Sequence, residues 1–171
     1  MKNFKKQAGA TLMEMTMVVG VIAIISIAGI AYYNSVNNGN QIKDEVNNVN
    51  SLSASIRNMF NTQGNFTGLS NEVILKSSTF PDRMRVANDT TSIKHSWANA
   101  GVIVAPITYD SPDDRFTITY QEIPERSCTD LVSNTYRHFI SVTVGNTIVD
   151  GSASAATACS GDVNEIIFET R

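Results

Sequence analysis

Histidine, cysteine and proline are scarce in this sequence, and each scarcity removes a class of chemistry. His95 and His138 are the only histidines, and neither stands in a metal-ligand spacing such as HExxH. Two cysteines, Cys128 and Cys159, leave no thiol for nucleophilic work if they are bridged. No GxSxG elbow or phosphate-binding loop occurs, and Asp113-Asp114 follows Pro112, which suits a turn better than a catalytic acid pair. His95 beside Trp97 could serve binding, but surface or core packing accounts for it better. We therefore expect no enzyme, no metal and no cofactor. A basic excess is also missing. The formal charge is −3, and Lys2, Lys5 and Lys6, three of the thirteen basic residues, all stand in the first few positions. The rest of the chain is more acidic still, which argues against nucleic acid as a partner. There is no internal repeat and no linker, so one globular domain plus an appendage is expected.

What the sequence does have is a long apolar run near its start, in "KKQAGATLMEMTMVVGVIAIISIAGIAYY". From Met15 to Tyr33 it contains no charge, and a helix of that length, rising about 1.5 Å per residue, spans a bilayer's hydrocarbon core. Lysines before the run and none within it leave the N-terminus cytoplasmic and export the chain beyond Tyr33. Tyr32 and Tyr33 suit the membrane interface. Two cysteines in an exported chain predict a Cys128–Cys159 disulfide, closing a loop of about 30 residues for roughly 3 kcal/mol.

Glu14 stands at the edge of this run, where a carboxylate facing lipid costs on the order of 2 to 3 kcal/mol and needs a reason. An ordinary secretory signal, cleaved after Ala31 behind Gly29-Ile30-Ala31, has no use for such an acid, and the apolar run is longer than a signal needs. A capping box with Thr11 as N-cap explains a helix start but not its place against lipid.

The basic leader, Gly9, Ala10-Thr11-Leu12-Met13-Glu14 and the apolar helix together resemble the class III signal of type IV prepilins and pseudopilins. The resemblance implies cleavage of the Gly9–Ala10 bond by a membrane prepilin peptidase, methylation of Ala10, and Glu14 as the family's fifth-position glutamate. In a filament of such helices Glu14 would need a positive partner, and the amino terminus of a neighbouring subunit's Ala10 supplies one. Glu14 in the first helical turn also suits the positive end of the macrodipole. Gly20, Ala23, Ala28, Gly29 and Ala31 would allow close helix approach. The sequence departs from the family in having no proline before Pro81, so a proline-linked kink is not implied, and in a leader of only nine residues (1–9).

Beyond Tyr33, Ile42, Val46, Val49, Leu52 or Ser53, Ile56 and Met59 or Phe60 recur at steps of three and four, so the apolar helix is expected to continue, past a weak point around Asn37-Asn38-Gly39, into an amphipathic half with one buried face, 10–62 in all. In the head, 63–171, the period changes. Phe116, Ile118 and Tyr120 alternate with threonines, as do Ile140, Val142 and Val144 with Ser141 and Thr143. Val102–Val104 and Ile166–Phe168 are short apolar runs. These predict strands of a mainly antiparallel sheet. Pro124 marks the start of a short helix carrying Cys128, and "DGSASAATACSGD" is read as a surface loop held by Cys159. The fold class is α+β, a long helix with a hydrophobic first half (about 10–33) and an amphipathic second half packed on the sheet.

"GNFTGLSNEVILKSSTFPD", "WANAGVIVAP" and "AATACSGD" resemble the heads of type IVb major pilins, the group of bundle-forming and conjugative thin-pilus pilins. The resemblance implies a pilin fold with a disulfide-framed region, 128–159, exposed on the filament. It also implies a homo-oligomeric helical filament serving adhesion, aggregation or conjugative contact. The precursor would be held in the bacterial inner membrane, and its partners would be the peptidase, the assembly machinery and a host or recipient cell surface. A minor pilin or a secretion pseudopilin would carry the same signal.

Overall fold

A computed structural model of the chain describes residues 11–171. Helix α1 runs from Leu12 to Phe60, 49 residues without a break. Thr11 opens it: the Thr11 Oγ1 accepts the Glu14 amide at 3.2 Å, satisfying one of the donors a helix start leaves free. At the other end, Gln63 and Gly64 amides bond back to the Phe60 carbonyl, and Gly64 takes a φ of 78° that a side chain would resist. The helix continues through Asn37-Asn38-Gly39, where the sequence predicts weakening. The chain divides there instead into two compact units, Met1–Gly39 and Asn40–Arg171.

In the second unit α1 buries Ile42, Val49, Leu52, Ile56 and Phe60 along one stripe, as its spacing predicts, while Met59 at its edge remains 37% exposed. Full burial of one such side chain contributes about 1.5 to 3 kcal/mol. The stripe faces a five-stranded, wholly antiparallel sheet of order β1-β2-β5-β3-β4. Its strands are β1 (Val102–Ile107), β2 (Arg115–Pro124), β3 (Ser141–Val144), β4 (Thr147–Ile148) and β5 (Val163–Thr170). Phe116, Ile118, Tyr120, Val142, Val144, Ile166 and Phe168 point into the core, as alternation requires. Ile140 does not join them: it lies before β3 and is exposed, and Phe139 packs on the Phe168 ring instead. The register slips between Tyr120 and Ile123, with Glu122 at a φ of 60°. This bulge changes the parity of β2, so that Ile123 as well as Tyr120 is buried.

Short helices complete the unit: α2 (Asn71–Leu75), α3 (Glu125–Thr135) and α4 (Ser152–Ala158). The Asn71 amide covers the outer edge of β1, donating to the Val102 carbonyl and accepting the Val104 amide, both at 2.8 Å. Helix α3 starts after Pro124 and buries Cys128, Leu131, Val132 and Thr135, a helical spacing. Helix α4 corrects the expected surface loop. Ser154 Oγ accepts the Gly151 amide at 3.0 Å and donates to the Asp150 carboxylate at 2.6 Å, and alanines with high helix propensity surround it, so small residues here build a helical turn rather than a loop.

Candidate functional site

Glu14 lies in the first turn of α1 and is exposed. Around it the helix carries a mainly apolar surface, interrupted before Asn34 only by Thr16, Ser26 and glycines. Leu12, Met13, Met17, Ile24, Ile27 and Tyr32 all expose more than two-thirds of their area, and no residue from 11 to 39 is buried. The most apolar 18-residue window of α1 has a mean hydropathy of 2.3. So much apolar surface with a single acid at its border suits a bilayer, or a bundle of like helices, better than water. Gly9 and Ala10, the expected cleavage and methylation positions, lie outside the described residues.

In the head the expected cysteine pair is bonded. Cys128 on α3 and Cys159, at the end of α4, have Cα atoms 5.8 Å apart and both are fully buried. The bridge fastens the segment that contains α3, β3, β4 and α4 at its two ends, so the surface it carries is held to the sheet. Asp113-Asp114 forms a turn, as read from the sequence. The Asp114 carboxylate accepts the Tyr109 and Asp110 amides at 2.8 and 3.2 Å, which holds it below the usual carboxylate range. Among the described residues no cluster of histidine, cysteine and carboxylate side chains could hold a metal ion.

One polar constellation was not foreseen. Glu45, on the buried stripe of α1, is 1% exposed. Its Oε1 accepts the Ser96 amide at 2.9 Å and the Ser96 hydroxyl at 2.7 Å, and its Oε2 lies 3.5 Å from the Tyr120 hydroxyl, which donates to it. Burial first, and then the Glu45 charge, push the Tyr120 hydroxyl well above its ordinary pKa, so it remains a donor. His95 stacks on the Tyr120 ring at 5.3 Å and is buried, so of the two packing readings the core one holds. The only sequence sign of this cluster was a glutamate at a helical step from Ile42 and Val49, a position that an exposed acid would equally occupy.

The family described as PilS N terminal matches residues 39–171. The major structural subunit of the bundle-forming pilus of Escherichia coli O127:H6 (strain E2348/69 / EPEC) is 28% identical over 92 residues, 54% of this chain and 46% of that protein. The subunit of the same name from Escherichia coli O111:H- matches equally. The aligned segment thus spans about half the length of these curated relatives. The fold is similar to the crystal structure of TcpA, a type IV pilin from Vibrio cholerae El Tor biotype, with a TM-score of 0.59 and 11% identity over 77% of this chain and 99% of that one. It is also similar to a type IVb pilin from Salmonella typhi, with a TM-score of 0.59 and 19% identity over 74% and 97% of the two chains. Because the family match takes in the whole head together with the buried half of α1, and the fold around it is that of these pilins, the chain belongs to the PilS N-terminal family of type IVb-like pilins.

Proposed function

We propose that this chain is the precursor of a type IVb major pilin, a structural subunit that is cut by prepilin peptidase and polymerised through α1 into an extracellular filament. The observation that carries the proposal is the joining of an unpartnered apolar helix surface, bordered by the single acid Glu14, to a head of pilin fold. The bundle-forming pilus relatives are named as major structural subunits, which supports the same role here.

The mechanism rests on the cost of the carboxylate. Cleavage at Gly9–Ala10 creates a new amino terminus four residues before Glu14. When helices leave the bilayer and pack together, a bare carboxylate in that medium is strongly disfavoured. The amino terminus of a neighbouring Ala10 neutralises it only at one axial offset between subunits, so the charge pair would set the register of assembly. The disulfide-framed head then faces outward, where adhesion, aggregation or conjugative contact would be made.

Glu14→Ala tests this. In a strain lacking wild-type subunit, the variant is expected to be exported and processed normally, while pilin in sheared surface material, measured by immunoblot, falls at least about tenfold, the equivalent of ~1.4 kcal/mol in an assembly equilibrium. Normal filament yield from that strain would sink the charge-pair mechanism.

A further inference from the structure

His95 sits in a socket that accepts only one protonation state. Its Nε2 is 2.8 Å from the Gln121 carbonyl, which can only accept, so Nε2 carries the hydrogen and donates it. Its Nδ1 receives two backbone amides, Trp97 at 3.1 Å and Ala98 at 3.2 Å, so Nδ1 must be a bare acceptor. The turn formed by His95, Ser96, Trp97 and Ala98 is thus tied at its first residue by the neutral ring. Ser96 is tied to α1 by Glu45. The socket is also shaped for the ring: a Cβ at Gly101 would overlap the imidazole, so only glycine leaves room for it.

An added proton on Nδ1 would point an N–H at two N–H donors, removing both bonds from the turn to the ring and leaving the His95 amide to Ala98 carbonyl bond, at 3.0 Å, as its only internal closure. The charged and titratable groups facing the ring are Glu45 from α1, and Tyr120 and Glu122 from β2. Burial holds the imidazole below its ordinary value, outweighing the Gln121 carbonyl and then the two carboxylates, which favour an imidazolium. A charged ring therefore has better access to stabilisation outside the socket than in it. A polar cleft lined by Asp44, Asn48, Arg83, Lys94 and Asn99 opens beside the ring and gives solvent protons a path.

We propose that the His95–Ala98 turn is an acid-opened latch: a solvent proton on Nδ1 expels the ring from its socket on β2 and carries Trp97 out of its half-buried seat, while Glu45 keeps Ser96 on α1 and the sheet and α1 stay folded. Trp97 is the chain's single tryptophan, so the latch contains its own reporter.

The test uses the full chain in detergent micelles, titrated between about pH 8 and pH 4, a range that brackets the ordinary histidine value of 6.5. Trp97 emission wavelength and acrylamide quenching are followed together with far-UV circular dichroism and the His95 ring nitrogens by NMR. We expect a reversible red shift and increased quenching with a midpoint below pH 6.5, coincident with ring protonation and with helix signal unchanged. His95→Asn should lose the transition, because its side-chain oxygen can accept the same two amides and cannot gain a proton in this range. His138→Asn should keep it. The latch is overturned if the ring protonates without the emission change, if it stays neutral to pH 4, if the change persists in His95→Asn, or if helix signal collapses with it. Should His95→Asn fail to fold at neutral pH, the wild-type comparison decides alone: coincidence of ring and emission midpoints supports the latch, and separation overturns it.

Discussion

Glu45 is the residue whose role departs most from its appearance in the sequence. A charged side chain among Asp44, Asn47 and Asn48 has the composition of a solvated helix face, yet it is as buried as Val49. It survives burial because three donors converge on it: the Ser96 amide and hydroxyl and the Tyr120 hydroxyl. Removing it leaves the buried Tyr120 hydroxyl without an acceptor, which costs about 1 to 3 kcal/mol for such a group, and releases the exposed Ser96 to water. Glu45→Ala is therefore expected to lower unfolding free energy by about 3 kcal/mol in denaturant titration, whereas Glu45→Gln, which keeps an acceptor oxygen, should lose about half of that. Equal stability in both variants would remove the clamp from the account. Glu122 shows a second kind of hidden residue: its left-handed backbone serves the bulge that keeps both Tyr120 and Ile123 in the core, and nothing in its side chain announces that.

At the scale of elements, legibility followed the strength of the apolar period. The stripe of α1 and strands β1, β2, β3 and β5 were readable because isoleucine, valine and phenylalanine recur at steps that only one kind of element can bury on one face. Helix α4 was not, because alanine and serine carry no apolar moment and mark helices and loops alike. Two-residue β4 is too short to show a period at all, and exists because Gly145, with a φ of 58°, turns the chain back on β3. The bridge between α3 and the end of α4 was legible because two cysteines allow only one intrachain pairing. Its closed loop, a sequence separation of 31, contributes about 3 to 4 kcal/mol. Reduction, or Cys128→Ser with Cys159→Ser, is expected to lower the head's unfolding free energy by that amount, read as a shift in denaturant midpoint. It should make α3 and α4 exchange amide hydrogens faster while β2 and β5 stay protected. Uniform loss of protection across the sheet would contradict a local role for the bridge.

For the whole molecule, acid has a defined direction of effect. His95 has a folded-state pKa below the unfolded value of 6.5, so the stability its neutral form contributes is fully present above that pH and is lost as pH falls through the folded value. The larger question is how one chain serves two solvents. Residues 11–39 expose an apolar surface fit for lipid or for copies of itself, while residues 40–171 close a core of their own. The sequence divides its chemistry the same way, with Glu14 as the one charge assigned to the first part. The proposal that links the two is that cleavage before Ala10 turns a membrane-held precursor into a filament subunit. Intact mass, with N-terminal fragment sequencing, of protein recovered from cells and from sheared surface material tests it most directly. The account predicts a surface chain that begins at Ala10, carries one extra methyl group and is two hydrogens light for the Cys128–Cys159 bridge. A surface chain that begins at Tyr32 would mean an ordinary secreted protein and would contradict the role given to Glu14.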